Sequence, residues 1–105
     1  MQFLLTAYDG TDAEAPDRRF KVRGEHLDKI AGLKKSGEVL FGGAILNEAG
    51  KMIGSMIVYE FPDRQSLDKR LKEEPYITEG VWKKIEIQPF RLAKTPHNGR
   101  SMSVP

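Results

Sequence analysis

The chain has two histidines, no cysteine and a scatter of carboxylates among its 105 residues, so few side chains could do chemistry. His97 lies in the polar stretch KTPHNGRSMSVP, and His26 lies inside KVRGEHLDKI, which has the pattern of an amphipathic helix. Three readings of His26 are open: a helix-surface residue, a packed core residue bonding a carbonyl, or a working base. An imidazole at the rim of an apolar face can be buried enough to be tuned and exposed enough to touch a ligand. A base also needs a group that holds its tautomer. Glu73 and Glu74, just before Pro75 in KEEPYITEGVW, are candidates, because a carboxylate beside a proline has a restrained backbone. Their place at a helix C-terminus opposes the helix dipole, which hints that one of them has another task. Arg23 sits one turn before His26 on the same side and could clamp an anionic group. Ser55, mid-strand in MIGSMIVYEF, is either a donor to a ligand oxyanion or an ordinary strand residue, since no nucleophile elbow surrounds it. Gly42 and Gly43 suggest a bulge, or a close approach of a backbone or ligand.

Composition removes several classes. Without cysteine there are no disulfides, thiol nucleophiles or Cys-ligated zinc. The two distant histidines form no metal-ligand spacing, and no phosphate- or dinucleotide-binding glycine motif is present. The expectation is therefore no metal and no cofactor. The net charge of +2 is spread over interleaved acids and bases, as in DRQSLDKRLKEE, which argues against a nucleic-acid surface. No apolar run approaches the roughly 18 residues of a membrane span, and MQFLLTAYDG has no basic region ahead of its apolar stretch to make it a signal peptide. No membrane role is expected, and the expected location is cytoplasmic.

The elements that must position these residues follow from periodicity. Residues 2–8 read as a buried strand ended by Asp9-Gly10. A helix follows, with Pro16 in its first turn and Ser36-Gly37 at its end; the expected buried face is Phe20, Leu27, Ile30, Ala31 and the stem of Lys34. VLFGGAIL and MIGSMIVYEF form a hairpin through NEAGK, with Gly50 available for a positive φ. Pro62-Asp63 opens a second helix carrying Leu67 and Leu71, Pro75 stops it, YITEG is a connector, and VWKKIEIQPFR is a last strand. The order is βαββαβ, an α+β, ferredoxin-like fold with a four-stranded antiparallel sheet and helices on one face. Apolar residues at both strand parities, as in Phe3-Leu4-Leu5 and Met56-Ile57-Val58, leave a second sheet face to be covered, and the expected cover is another copy in a homodimer. The domain is expected to span residues 1–93, and 94–105 to form a flexible polar tail.

The motif Arg23-x-x-His26-Leu27, the glycine pair in FGGAIL, IGSMIVYEF with Gly54 and Ser55, and EPYITEGVW followed by IEIQPF occur in that order between residues 2 and 91. Together they resemble the YciI-related (YCII domain) family within the dimeric α/β-barrel superfamily. The resemblance implies two ferredoxin-like copies packed sheet to sheet, and a pocket holding a histidine–aspartate pair. The histidine corresponds to His26, and the acid comes from a D-P-Y motif that reads Glu74-Pro75-Tyr76 here, so a longer glutamate stands in place of aspartate. Arg23, Ser55, Gly43 and Tyr76 are then implied as substrate-binding. Superfamily members include muconolactone isomerases and a dechlorinase of hydroxylated aromatics. The implied activity is acid–base chemistry of the isomerase or lyase type on a small anionic, cyclic or hydroxyaromatic molecule. The alternative is a non-catalytic metabolite-binding or accessory module using the same pocket.

Overall fold

The structure is a computed structural model and describes residues 1–94. Strand β1 (Gln2–Asp9) is followed by helix α1 (Ala15–Ser36), strands β2 (Val39–Leu46) and β3 (Met52–Glu60), helix α2 (Arg64–Leu71), a short helix α3 (Pro75–Thr78) and strand β4 (Trp82–Phe90). The sheet order is β2-β3-β1-β4, with every neighbouring pair antiparallel. This is the ferredoxin-like arrangement read from the sequence, with α3 added. Of the expected tail 94–105, all residues beyond Lys94 lie outside the described part.

Local chemistry explains the boundaries. Gly37 leaves α1 at φ 86°, and its N–H returns to the Leu33 and Lys34 carbonyls, the left-handed ending that a residue without Cβ adopts at no steric cost. Asp63 caps α2, its carboxylate accepting from Ser66 N at 2.7 Å. Pro75 does lie beyond the end of α2, but the expected connector after it is partly helical. Proline suits the first helical turn because its missing N–H has no partner to lose there, and Glu74 caps the turn by accepting from Tyr76 N.

The core lies between the helices and one sheet face, where β1 contributes Phe3, Leu5 and Ala7. Their partners on β3 are Tyr59, Ile57 and Ser55, so the same face turns polar toward the end of β1. Asp9 is the next residue of that parity, opposite Trp82 on β4.

α1 corrects the expected helix face. Phe20 is 77% exposed and Leu27 43%, and Ala31 and Lys34 are exposed as well. The buried residues are Ala15, Arg19, Val22, His26 and Leu33, with Ile30 partly buried. At about 100° per residue they form a single stripe, turned by about one residue from the expected one. The stripe contains an arginine and a histidine, and those two polar residues are what hid it in the hydrophobic pattern.

The opposite sheet face carries no helix. Leu4 pairs with Val58 and Thr6 with Met56, while Phe41 pairs with Val58 and Ile45 with Gly54 across the β2–β3 hairpin. Val58 is wholly buried yet lies outside the helix-side core. Phe41 and Tyr8 remain 37% and 39% exposed.

Candidate functional site

The residues that α1 buries meet partners from three other segments. His26 Nδ1 lies 2.7 Å from Glu74 Oε2, and the two side chains are 9% and 3% exposed. The same Oε2 accepts from Tyr76 N at 2.8 Å. An ionised carboxylate is acceptor-only, so the Nδ1 that faces it carries the hydrogen, and the Nε2 of the neutral ring keeps its lone pair. Nε2 makes no hydrogen bond among the described residues.

Glu74 owes its position to its own backbone. It is the cap of α3 at φ −78°, ψ 118°, which turns the side chain back over the Tyr76 amide and toward α1. Glu73, the other acid of the pair, is exposed and faces Lys29 and Arg70. The structure thus distinguishes two adjacent carboxylates that look equivalent in sequence.

Tyr76 stacks on the His26 ring at 3.9 Å between centroids and 10° between planes. The Arg19 guanidinium carbon lies 4.8 Å from the Tyr76 centroid. Arg19 and His26 are seven residues apart on one helix, about 10 Å along its axis, so the phenol ring fills the gap between them. Trp82 closes the other side, edge-on to His26 at 5.9 Å and to Tyr76 at 5.5 Å. Burial pushes the Tyr76 phenol up from its ordinary value, opposed by the positive charges of Arg19 and Arg23. The Tyr76 hydroxyl has no partner among the described residues.

A second network continues from this stack. Arg19 Nη1 donates to both Asp9 oxygens at 3.0 and 3.1 Å, and Nη2 donates to Ser55 Oγ at 3.0 Å. Trp82 Nε1 donates to the same Oγ at 3.2 Å. Both lone pairs of that hydroxyl are therefore occupied, and its own hydrogen is left to donate. Arg19 and Asp9 are 6% and 5% exposed, a buried ion pair whose Arg19 Nε still lacks an acceptor. Arg19, Asp9 and Trp82 were not singled out from the sequence. A charged residue in phase with Val22 and His26 was the available signal, but it required the correct helix face.

Of the other expected residues, Ser55 is in the site, and its geometry is that of a held hydroxyl. Arg23 is exposed, close enough to influence Tyr76, and makes no hydrogen bond or ion pair among the described residues. Gly43 lies apart from these side chains: it pairs with Met56, whose partner Thr6 alternates with the buried Leu5 and Ala7, so its register position belongs to the open face. A Cβ there would meet nothing within 4 Å. The close approach is at Gly42, where a Cβ would lie 2.9 Å from the Met56 carbonyl oxygen. The register shift next to the pair falls between Val39 and Phe41 instead.

The clefts nearest in the fold are lined by other residues. A cleft of about 580 Å³ includes Pro75 but is otherwise lined by residues such as Glu25, Lys29 and Arg70, without His26 or Glu74. A smaller one of about 150 Å³ lies beside Asp9 and Met52. Among the described residues no group of three or more His, Asp or Glu side chains could hold a metal ion.

The fold and the buried pair define a ferredoxin-like α+β domain with an imidazole–carboxylate dyad between helix and sheet. The YCII-related domain profile matches residues 1–91, and the chain belongs to that family. It is 26% identical over 94 residues to Protein YciI of Shigella flexneri, a match spanning 84% of this chain and 96% of that one. Among solved structures it is similar to 5-chloro-2-hydroxyhydroquinone dehydrochlorinase from Burkholderia phenoliruptrix AC1100 in complex with 2,5-dihydroxybenzoquinone. That TM-score is 0.75 at 18% identity, covering 89% of this chain and 96% of the other. A NIPSNAP domain protein from Burkholderia xenovorans follows at TM-score 0.51 and 16% identity, with 92% and 100% covered. At these identities the likeness to the structures is one of fold.

Proposed function

We propose that the chain is an acid–base catalyst of the isomerase or lyase type, acting on a small anionic or hydroxyaromatic ring compound. The observation that carries the reading is the 2.7 Å contact of His26 Nδ1 with Glu74 Oε2, which leaves Nε2 without a protein partner. Glu74 holds the Nδ1 hydrogen, so Nε2 takes a proton from the substrate, and the imidazolium that forms is stabilised by the carboxylate before it returns the proton. Stacking against Tyr76 and Trp82 fixes the ring plane. Arg23, exposed and unpaired among the described residues, draws the anionic group to the opening. Ser55 and Tyr76 offer hydroxyls to the ring substituents. A relative of the same fold binds 2,5-dihydroxybenzoquinone, which is why hydroxylated rings are the first compounds to try.

The reading includes a homodimer through the open sheet face, because Leu4, Phe41, Ile45 and Met56 lack cover in a single chain. It also includes a cytoplasmic location. Among the described residues no helix is long and apolar enough to cross a membrane.

The narrow exposure of His26, 7% of the residue, favours a second reading: a module that holds a small metabolite without turning it over. A turnover screen of hydroxyaromatic acids, hydroxyquinones and lactones separates the two, with His26→Ala as the control. Turnover abolished by that substitution supports catalysis. Turnover that survives it removes the assigned base, and saturable binding without product supports the binding module.

A further inference from the structure

Helix α1 carries a second face that its own fold leaves uncovered. Asp17, Phe20, Gly24, Leu27, Ala31 and Lys34 recur in alternating steps of three and four residues, and all six are exposed. That spacing draws one seam along a helix, and it runs on the side away from Arg19, Val22, His26 and Leu33, which are buried. Phe20 is 77% exposed and Leu27 43%, and a Cβ on Gly24 would meet nothing within 4 Å. The seam is apolar in its middle and charged at both ends.

We propose that this seam binds a second copy of the chain, α1 against α1 in antiparallel orientation, about a two-fold axis level with the Glu25–His26 peptide. Antiparallel seams place residues at equal distances from such an axis against each other. Phe20 then faces Ala31 of the second copy and Leu27 faces its Gly24, so a large side chain meets a small one at each level. At the ends Asp17 meets Lys34, and along one flank Lys21 lies beside Asp28, each contact made twice by symmetry. On the other flank Arg23 falls opposite Ile30 and meets no like charge. The parallel alternative sets Asp17 against Asp17 and Lys34 against Lys34, and leaves Gly24 facing Gly24 across a gap. Like charges side by side oppose association, so the charge pattern selects both the partner and its direction. A uniformly acidic or uniformly basic partner would match only half of it. The seam is separate from the open sheet face, and together the two contacts join dimers into tetramers. It goes beyond the catalytic reading and does not depend on it.

Sedimentation equilibrium of the full chain at low salt, from about 10 µM to about 1 mM, tests this, because so short a seam buries less than a standard interface and associates weakly. The mass is expected to rise to at least twice that of the species present at the lowest concentration. Phe20→Asp is expected to abolish the rise. Lys21→Asp or Asp28→Lys alone sets like charges side by side and is expected to weaken association about tenfold. The double variant exchanges the two charges and is expected to recover the parent's association to within about threefold. Phe41→Asp, on the sheet face, is expected to leave this step in place, which separates it from the open-face dimer. A constant mass over the range, an unaffected Phe20→Asp, or a double variant no better than the singles overturns the proposal. So does a chain that stays unassociated but binds anionic phospholipid vesicles through Phe20, since that assigns the face to a membrane surface. Circular dichroism checks that each variant folds, and should Phe20→Asp not fold, the charge exchange decides by itself.

Discussion

Arg19→Met tests whether the buried ion pair beneath the dyad is a structural foundation of the site. The substitution deletes both hydrogen bonds to Asp9 and the one to Ser55, and takes the cation off the Tyr76 ring. Ser55 keeps its Trp82 donor, so most of the penalty falls on Asp9, a carboxylate only 5% exposed. Removing one partner of a buried pair costs about 3–5 kcal/mol, because the other charge stays buried and uncompensated. Domains of this size have about 5–15 kcal/mol in total, so the variant should lose roughly a fifth or more of its stability. That corresponds to roughly 12–20 °C in melting temperature at about 4 °C per kcal/mol. Arg19→Met combined with Asp9→Leu removes both charges and should return to within about 1 kcal/mol of the parent, since replacing a whole buried pair by apolar groups is near neutral. Urea unfolding followed by the fluorescence of Trp82, the single tryptophan in the chain, reports directly on this region. A loss below about 1 kcal/mol for the single variant, or a double variant no better than the single, would refute the reasoning.

Three further outcomes are expected. Gly54→Ala should unfold or severely destabilise the chain, because its Cβ would collide with the Ala7 carbonyl oxygen, whereas Gly43→Ala should be tolerated in open space; solubility and melting of the two variants check this. Asp63, whose bonds from Ser66 hold its carboxyl below the ordinary value, contributes stability that is fully present above its unfolded pKa and disappears as pH falls through the lower folded one. The stability gap between parent and Asp63→Ala should therefore be flat from neutral pH to about pH 4 and close below it, and a gap unchanged at lower pH contradicts the cap. Sedimentation should show a dimer at micromolar concentration and a folded monomer for Phe41→Asp, and a monomeric parent rules out the open-face dimer.

Much of the fold was legible because its signals are local. The strand end at Asp9, the Gly37 ending of α1, the Asp63 cap and the Gly50 turn each depend on the backbone preferences of one or two residues. The strand order needed one more step, that four short strands with two helices cover one face. His26 and Glu74 were legible as a pair through the family resemblance and the odd placement of a carboxylate before Pro75. The helical segment of Pro75–Thr78 was missed because a proline that stops one helix is equally suited to start the next.

The sequence by itself determined where all elements but the short α3 begin and end, and which residue types were available for proton transfer. The tertiary structure alone decided which face of α1 is buried. A hydrophobic pattern turns by one residue when Arg19 and His26 occupy buried positions, and a helix reveals this only once Asp9 and Glu74 arrive from distant segments to compensate them. It also brought Glu74 to 2.7 Å from His26 while leaving Glu73 exposed, and placed Gly43 in register with Met56 on the open face. Each choice depends on contacts between residues far apart in the chain, and burial of a charge is favourable only in the presence of its partner.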